Sequence, residues 1–105
     1  MQQITAEQLK EQLDNGTTMQ LLDVRETWEY EICHIEPSIN IPMSEIPKVL
    51  DDIDPDKTTI IICHHGMRSF QVAQYLESQG FDDVGNLEGG IAAWATTIDQ
   101  SMPQY

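Results

Sequence analysis

Basic residues are scarce in this chain of 105: five Lys and Arg stand against eighteen Asp and Glu, a formal net charge of −13. A surface that acidic repels phosphate, which argues against nucleic acid and anionic membranes as partners; the bland reading is a solvated acidic surface, and the sharper one a basic protein partner. Long apolar runs are missing too; none approaches the roughly 20 residues a membrane span requires. The opening "MQQITAEQLKEQ" has no basic stretch leading into an apolar one, so no secretory leader is read there and a cytoplasmic location is expected. Cysteine occurs only at Cys33 and Cys63. Their wide separation matches no zinc-ligand pattern, and in a reducing compartment two free thiols are expected rather than a disulfide.

What remains is an ordinary globular composition, 40% hydrophobic with 7% aromatic. The length fits a single domain over residues 1–105, large enough to form a core without covalent staples. "TAEQ" at residues 5 to 8 is a capping box, and Leu9 and Leu13 follow at helical spacing, with Asn15-Gly16 as the stop. "MQLLDV" (19–24), "INIP" (39–42), "TTIIIC" (58–63) and "DVGNL" (83–87) read as strands. Helices are expected over 26–32, with Trp28 and Ile32 four apart on one face, from Ser44 to about Leu50, over 69–79 with Ser69 as N-cap and Gly80 at the stop, and after "EGG" near the end. Trp28 and Trp94 are both expected in the core. Alternating strands and helices imply an α/β fold, a parallel sheet covered by helices on both faces. The β-branched run 58–63 suits its central strand.

Sites on such sheets lie at the carboxyl ends of strands, and there the chain reads "CHHGMRS", Cys63 to Ser69. A cysteine nucleophile reacts as its thiolate, so its surroundings must favour an anion. Three features offer that. The N-terminus of the following helix carries partial positive charge. Residues 64 to 68, if curled, direct successive N–H groups inward, with Gly66 allowing the turn. Arg68 adds a permanent cation with a planar fork. The bland reading is a buried cysteine at a strand end followed by a solvated loop. His64 and His65 invite a metal, but three adjacent ligands rarely converge on one centre, so no metal is expected; the histidines shape the rim and donate hydrogen bonds.

Three segments in order resemble the single-domain rhodaneses, the thiosulfate sulfurtransferase family: "LLDVRETWEYEICHIEPSINIP", "CHHGMRS" and "VGNLEGGIAAW". The resemblance covers nearly the whole chain and implies a single rhodanese-like domain with a mainly parallel five-stranded sheet. It departs from the family at Cys33, where glycine is usual, and at Pro37-Ser38, where Gly-Ala is usual; both lie away from the thiol loop. The resemblance implies Cys63 as the catalytic residue and His64, His65, Gly66, Met67, Arg68 and Ser69 as the substrate-binding loop, with no cofactor. The expected donor is thiosulfate or a protein persulfide, and the acceptor a thiol, cyanide or a protein. Asp23 and Arg25, at the end of a neighbouring strand, are expected as a structural ion pair, or with Arg25 reaching substrate. His34 is expected as a structural hydrogen-bonder, and Gly89 and Gly90 as a turn packed beneath the loop. Four residues separate Cys63 from Arg68, where tyrosine and dual-specificity phosphatases place five. The shorter loop favours sulfur transfer over a phosphatase or arsenate reductase, and a non-enzymatic sulfur-carrier or regulatory module is the remaining alternative.

Overall fold

The computed structural model describes residues 1–105. Five strands form one sheet in the order β1-β5-β4-β2-β3, with every neighbouring pair parallel. They are β1 (Gln2–Ile4), β2 (Gln20–Asp23), β3 (Ile39–Asn40), β4 (Thr59–Ile62) and β5 (Val84–Leu87). The α-helices are α1 (Ala6–Asp14), α2 (Thr27–Ile32), α3 (Met67–Ser78) and α4 (Gly90–Thr97), and a 3-10 segment spans Met43–Asp52 with a break at Val49. No helix is long and apolar enough to cross a membrane.

The local causes are those of the sequence in most places. Thr5 and Gln8 close the capping box on α1: the Gln8 N–H donates to Thr5 Oγ1 at 3.1 Å and the Thr5 N–H to Gln8 Oε1 at 2.9 Å. Every residue of β4 is buried, as a β-branched strand covered on both faces must be. Side chains on a strand alternate between faces, and β4 divides the core accordingly. Ile60 and Ile62 pack with Leu9 of α1 and Ile91, Trp94 and Ala95 of α4. Ile61 and Cys63 pack on the other side with Val72, Ala73 and Leu76 of α3. The thiol therefore sits on the α3 face, at the carboxyl end of a central strand.

Two expectations need correction. Trp28 is not in the core: it is 59% exposed, and Ile32 is 39% exposed. Helix α2 turns its other side inward and buries Glu29, because Arg68 and Tyr105 await that carboxylate, while the Trp28 indole packs edge-on against Tyr105 at the surface. Ser69 is not the N-cap of α3. The helix starts two residues earlier, with Gly66 as N-cap in the left-handed region (φ 104°). The first strand, Gln2–Ile4, was not expected from its sequence. Cys33 fits its unusual position because its backbone is extended (φ −165°), a conformation that needs no glycine.

Candidate active site

The Cys63 side chain leaves β4 into a pocket of donors. Its Sγ lies 3.0 Å from the donating Gly66 N–H and 3.2 Å from Ser69 Oγ. Cys63 and Ser69 are both buried. The N–H groups of His64 and His65 find no acceptor elsewhere in the protein. Those of the first turn of α3 have no intrahelical partner by construction. A curled loop with unsatisfied donors at a helix start is an anion cradle.

Two buried polar residues hold the cradle in shape. Asn86 of β5 donates through Nδ2 to the Gly66 carbonyl at 3.1 Å and to Gln3 Oε1 at 3.0 Å. That fixes its Oδ1 toward the Ser69 hydroxyl, which donates to it. From below, the first turn of α4 grips the loop: the Ile91 and Ala92 N–H groups donate to the carbonyls of Cys63 (2.9 Å) and His64 (3.0 Å). Gly90 lets α4 come this close. A Cβ there would lie 2.4 Å from the Cys63 carbonyl oxygen, and its φ is +59°.

The sequence reading has Arg68 facing a substrate anion. In the structure its guanidinium forks onto Glu29 instead, Nη1 to Oε1 at 2.7 Å and Nη2 to Oε2 at 2.9 Å. The pairing raises the pKa of Arg68. It pulls the Glu29 carboxyl down to about 2, against the effect of burial and with help from the Glu26 N–H and the Tyr105 hydroxyl. A carboxyl lowered on folding stabilises the fold above its unfolded pKa and loses that contribution as pH falls through the folded one. For Glu29 the contribution is complete above about pH 4.5 and lost on approach to about 2. Acid unfolding followed by circular dichroism should therefore be steeper across that window for the wild type than for Glu29→Gln. Superimposable acid curves would show that the ion pair adds nothing.

Behind Glu29 the network continues. Tyr105 donates its hydroxyl to Glu29 Oε2 at 2.8 Å and accepts from Arg25 Nη1 at 2.9 Å. Burial foremost lifts the phenol to about 12, so it stays protonated and able to donate. Its ring stacks on His64, which stacks in turn on His65, with centroids 4.1 and 4.0 Å apart. Burial, then the neighbouring His65, holds His64 below the usual imidazole range. Arg25 and Asp23 are wholly buried and joined by four hydrogen bonds, the shortest 2.7 Å from Arg25 Nη2 to Asp23 Oδ2. Arg25 also donates to the Cys33 carbonyl at 2.6 Å. Burial opposes its charge, and the bonds to Asp23 and Tyr105 outweigh it, leaving its pKa raised. Asp23 and Arg25 thus form the expected ion pair, and the rest of the Arg25 guanidinium faces the Glu29 and Cys33 carbonyls and the Tyr105 hydroxyl.

His34, too, is held by hydrogen bonds: Nδ1 lies 2.9 Å from the Tyr30 carbonyl and Nε2 lies 2.7 Å from Glu36 Oε1. Glu29, Asn86 and Tyr105 escaped the sequence reading. Only Glu29 left a trace, the E-x-x-E spacing of Glu26 and Glu29 at a helix start; the Glu26 N–H donates to Glu29 Oε1 at 2.9 Å.

Comparison with known proteins places the fold. The family profile described as Rhodanese-like domain matches residues 5–97. The Bacillus subtilis protein YtwF is 39% identical over 94 residues, covering 90% of each chain. Thiosulfate sulfurtransferase GlpE of Shewanella oneidensis is 34% identical over 83 residues, covering 79% of this chain and 82% of its own. The crystal structure of a rhodanese-like domain protein from Staphylococcus aureus superposes with a TM-score of 0.84 at 37% identity, covering 90% of this chain and 91% of that one. Other relatives are longer, and the chain spans only 26%, 36% or 50% of their length. With a family profile over most of its length, relatives of its own size and a matching solved fold, the chain belongs to the rhodanese-like domain family.

Proposed function

We propose that this protein is a sulfurtransferase in which Cys63 carries the sulfur. The observation that supports this most is the Cys63 Sγ seated against the Gly66 N–H at the start of α3, with the loop's other N–H groups unspent. The Cys63 thiolate attacks the sulfane sulfur of thiosulfate or of a protein persulfide. A new S–S bond forms on Cys63, and the donor's bond to that sulfur breaks with its electron pair on the leaving sulfite or thiolate. A thiol, cyanide or a protein acceptor then removes the sulfur in a second displacement, so one difficult transfer becomes two. The loop N–H groups steady the outer sulfur as negative charge moves onto it. Neither step calls for a metal or cofactor.

The spacing of four residues between Cys63 and Arg68 favours this reading over a phosphatase or arsenate reductase. A sulfur carrier or regulatory module docking a basic protein partner is the second reading, favoured by the net charge of −13. Intact-mass measurement after incubation with thiosulfate or a persulfide tests the chemistry. The expected result is a gain of one sulfur atom, mapped to Cys63 and lost on adding cyanide or dithiothreitol. A chain that turns donor into product catalytically is an enzyme; one that loads once and releases only to a bound protein is a carrier. Absence of any adduct would overturn both.

A further inference from the structure

We infer that Glu29 sets the donor class: by occupying the Arg68 fork it tunes the site for sulfane donors carrying at most one negative charge and against dianions such as thiosulfate. The inference rests on the sulfurtransferase reading and narrows it.

Fixed positive charge near the loop is already spent. The chain has five Lys and Arg. Arg25 is bound to Asp23 and Arg68 to Glu29, while Lys10 pairs with Asp14 and Lys48 with Glu45. Only Lys57 is unpaired, and it lies in the turn before β4, at the opposite end of that strand from Cys63. His64 is held toward its neutral form by burial and by His65. The two ion pairs behind the loop, Asp23 with Arg25 and Glu29 with Arg68, sum to zero. Backbone N–H groups are therefore the main anion ligands, and these suit a single sulfur anion better than a dianion that must shed its water.

The space beside the loop agrees. A groove of about 470 Å³ runs along Gly66 and is lined by Met67, Phe70 and Glu88, among others. Met67 is 77% exposed, and Glu88 is the groove's one carboxylate, with no Lys or Arg in its wall. A neutral or basic donor body fits such walls; a second negative charge does not. In the transfer, Cys63 gains the sulfane sulfur and the donor's R–S bond breaks with its electron pair on R, as a thiolate or sulfinate. A persulfide proton stays on the sulfur that moves, so no further reactant is needed.

The test compares thiosulfate with methanethiosulfonate, a donor of similar shape with one charge fewer. In Glu29→Gln, Arg68 is freed, and the ratio of kcat/KM for thiosulfate to that for methanethiosulfonate should rise by about 10-fold or more, chiefly through the thiosulfate KM. A measurement on the wild type avoids any folding defect of the variant. As ionic strength rises from about 0.01 to 0.15 M, the screening length falls from about 30 to 8 Å. With no free cation at the site, kcat/KM should rise, and more for the dianion. An unchanged ratio in a folded variant, or a wild-type kcat/KM for thiosulfate that falls with salt, overturns the inference. If neither donor adds sulfur to Cys63 by intact mass, the sulfurtransferase reading itself fails and this one with it.

Discussion

Serine in place of Cys63 will reduce sulfur transfer to the level without protein, a loss on the order of 10⁴-fold or more, as expected when a covalent nucleophile is removed. A hydroxyl is a far poorer nucleophile than a thiolate and cannot carry a persulfide. Folding should survive, because serine is smaller than cysteine and Gly66 N–H and Ser69 Oγ remain to meet its oxygen. Thiocyanate formation from a sulfane donor and cyanide reads the first claim, and a thermal melt the second. Cys33→Ala is the control. Its thiol is buried at the end of α2 and its site role is confined to the backbone carbonyl that accepts from Arg25, so turnover should persist. Substantial turnover in Cys63→Ser, or its loss in a folded Cys33→Ala, would displace Cys63 as the sole sulfur carrier.

Gly90→Ala is expected to be the most damaging single methyl group in the molecule. The new Cβ would meet the carbonyl oxygens of Cys63 and His64, at 2.4 and 2.5 Å, and both belong to backbone that cannot step aside. The left-handed φ of +59° adds strain for any L side chain. Left-handed strain of about 1–2 kcal/mol together with overpacking of about 1–3 gives a destabilisation of roughly 2–5 kcal/mol. For a domain of this size that lowers Tm by at least about 8 °C. Turnover should fall further than stability alone explains, by about 100-fold, because the loop carbonyls bonded by Ile91 and Ala92 must shift. Assay well below the variant's melting point separates the two effects. An unshifted melt with normal turnover would mean that α4 does not shape the loop.

How legible these features were depends on what fixed them. The β4 run of isoleucines and the Cys63-to-Ser69 loop were readable because their signal is local: a continuous β-branched stretch, a thiol, a glycine and a cation in seven residues. The capping box at Thr5 was readable for the same reason. Strand β1 was not, since "QQI" has no period and becomes a strand only by pairing with β5. The size and apolarity of Trp28 suggest burial, whereas α2 is oriented by what Glu29 binds. For Arg68 the sequence shows a cation's position and not its partner, and Glu29 lies 39 residues away from it. Tyr105 and Asn86 act through contacts with sequence separations of 76 and 20 residues, and no spacing rule reaches that far.

The strand order also dictates when this protein can become itself. Gln2 lies opposite Gly85, so the first strand waits for the last before either can complete the sheet. Every pairing is parallel, and each must close a long loop of chain before its contacts stabilise anything. On the ribosome, β2, β3 and β4 can meet while β1 remains a frayed edge beside an empty place. The helix that fastens the Cys63 and His64 carbonyls, α4, emerges only after β5. Nascent chains halted anywhere before about residue 90 would hold Cys63 on an unfastened loop, so the geometry proposed for sulfur transfer arrives with α4 and not with the cysteine.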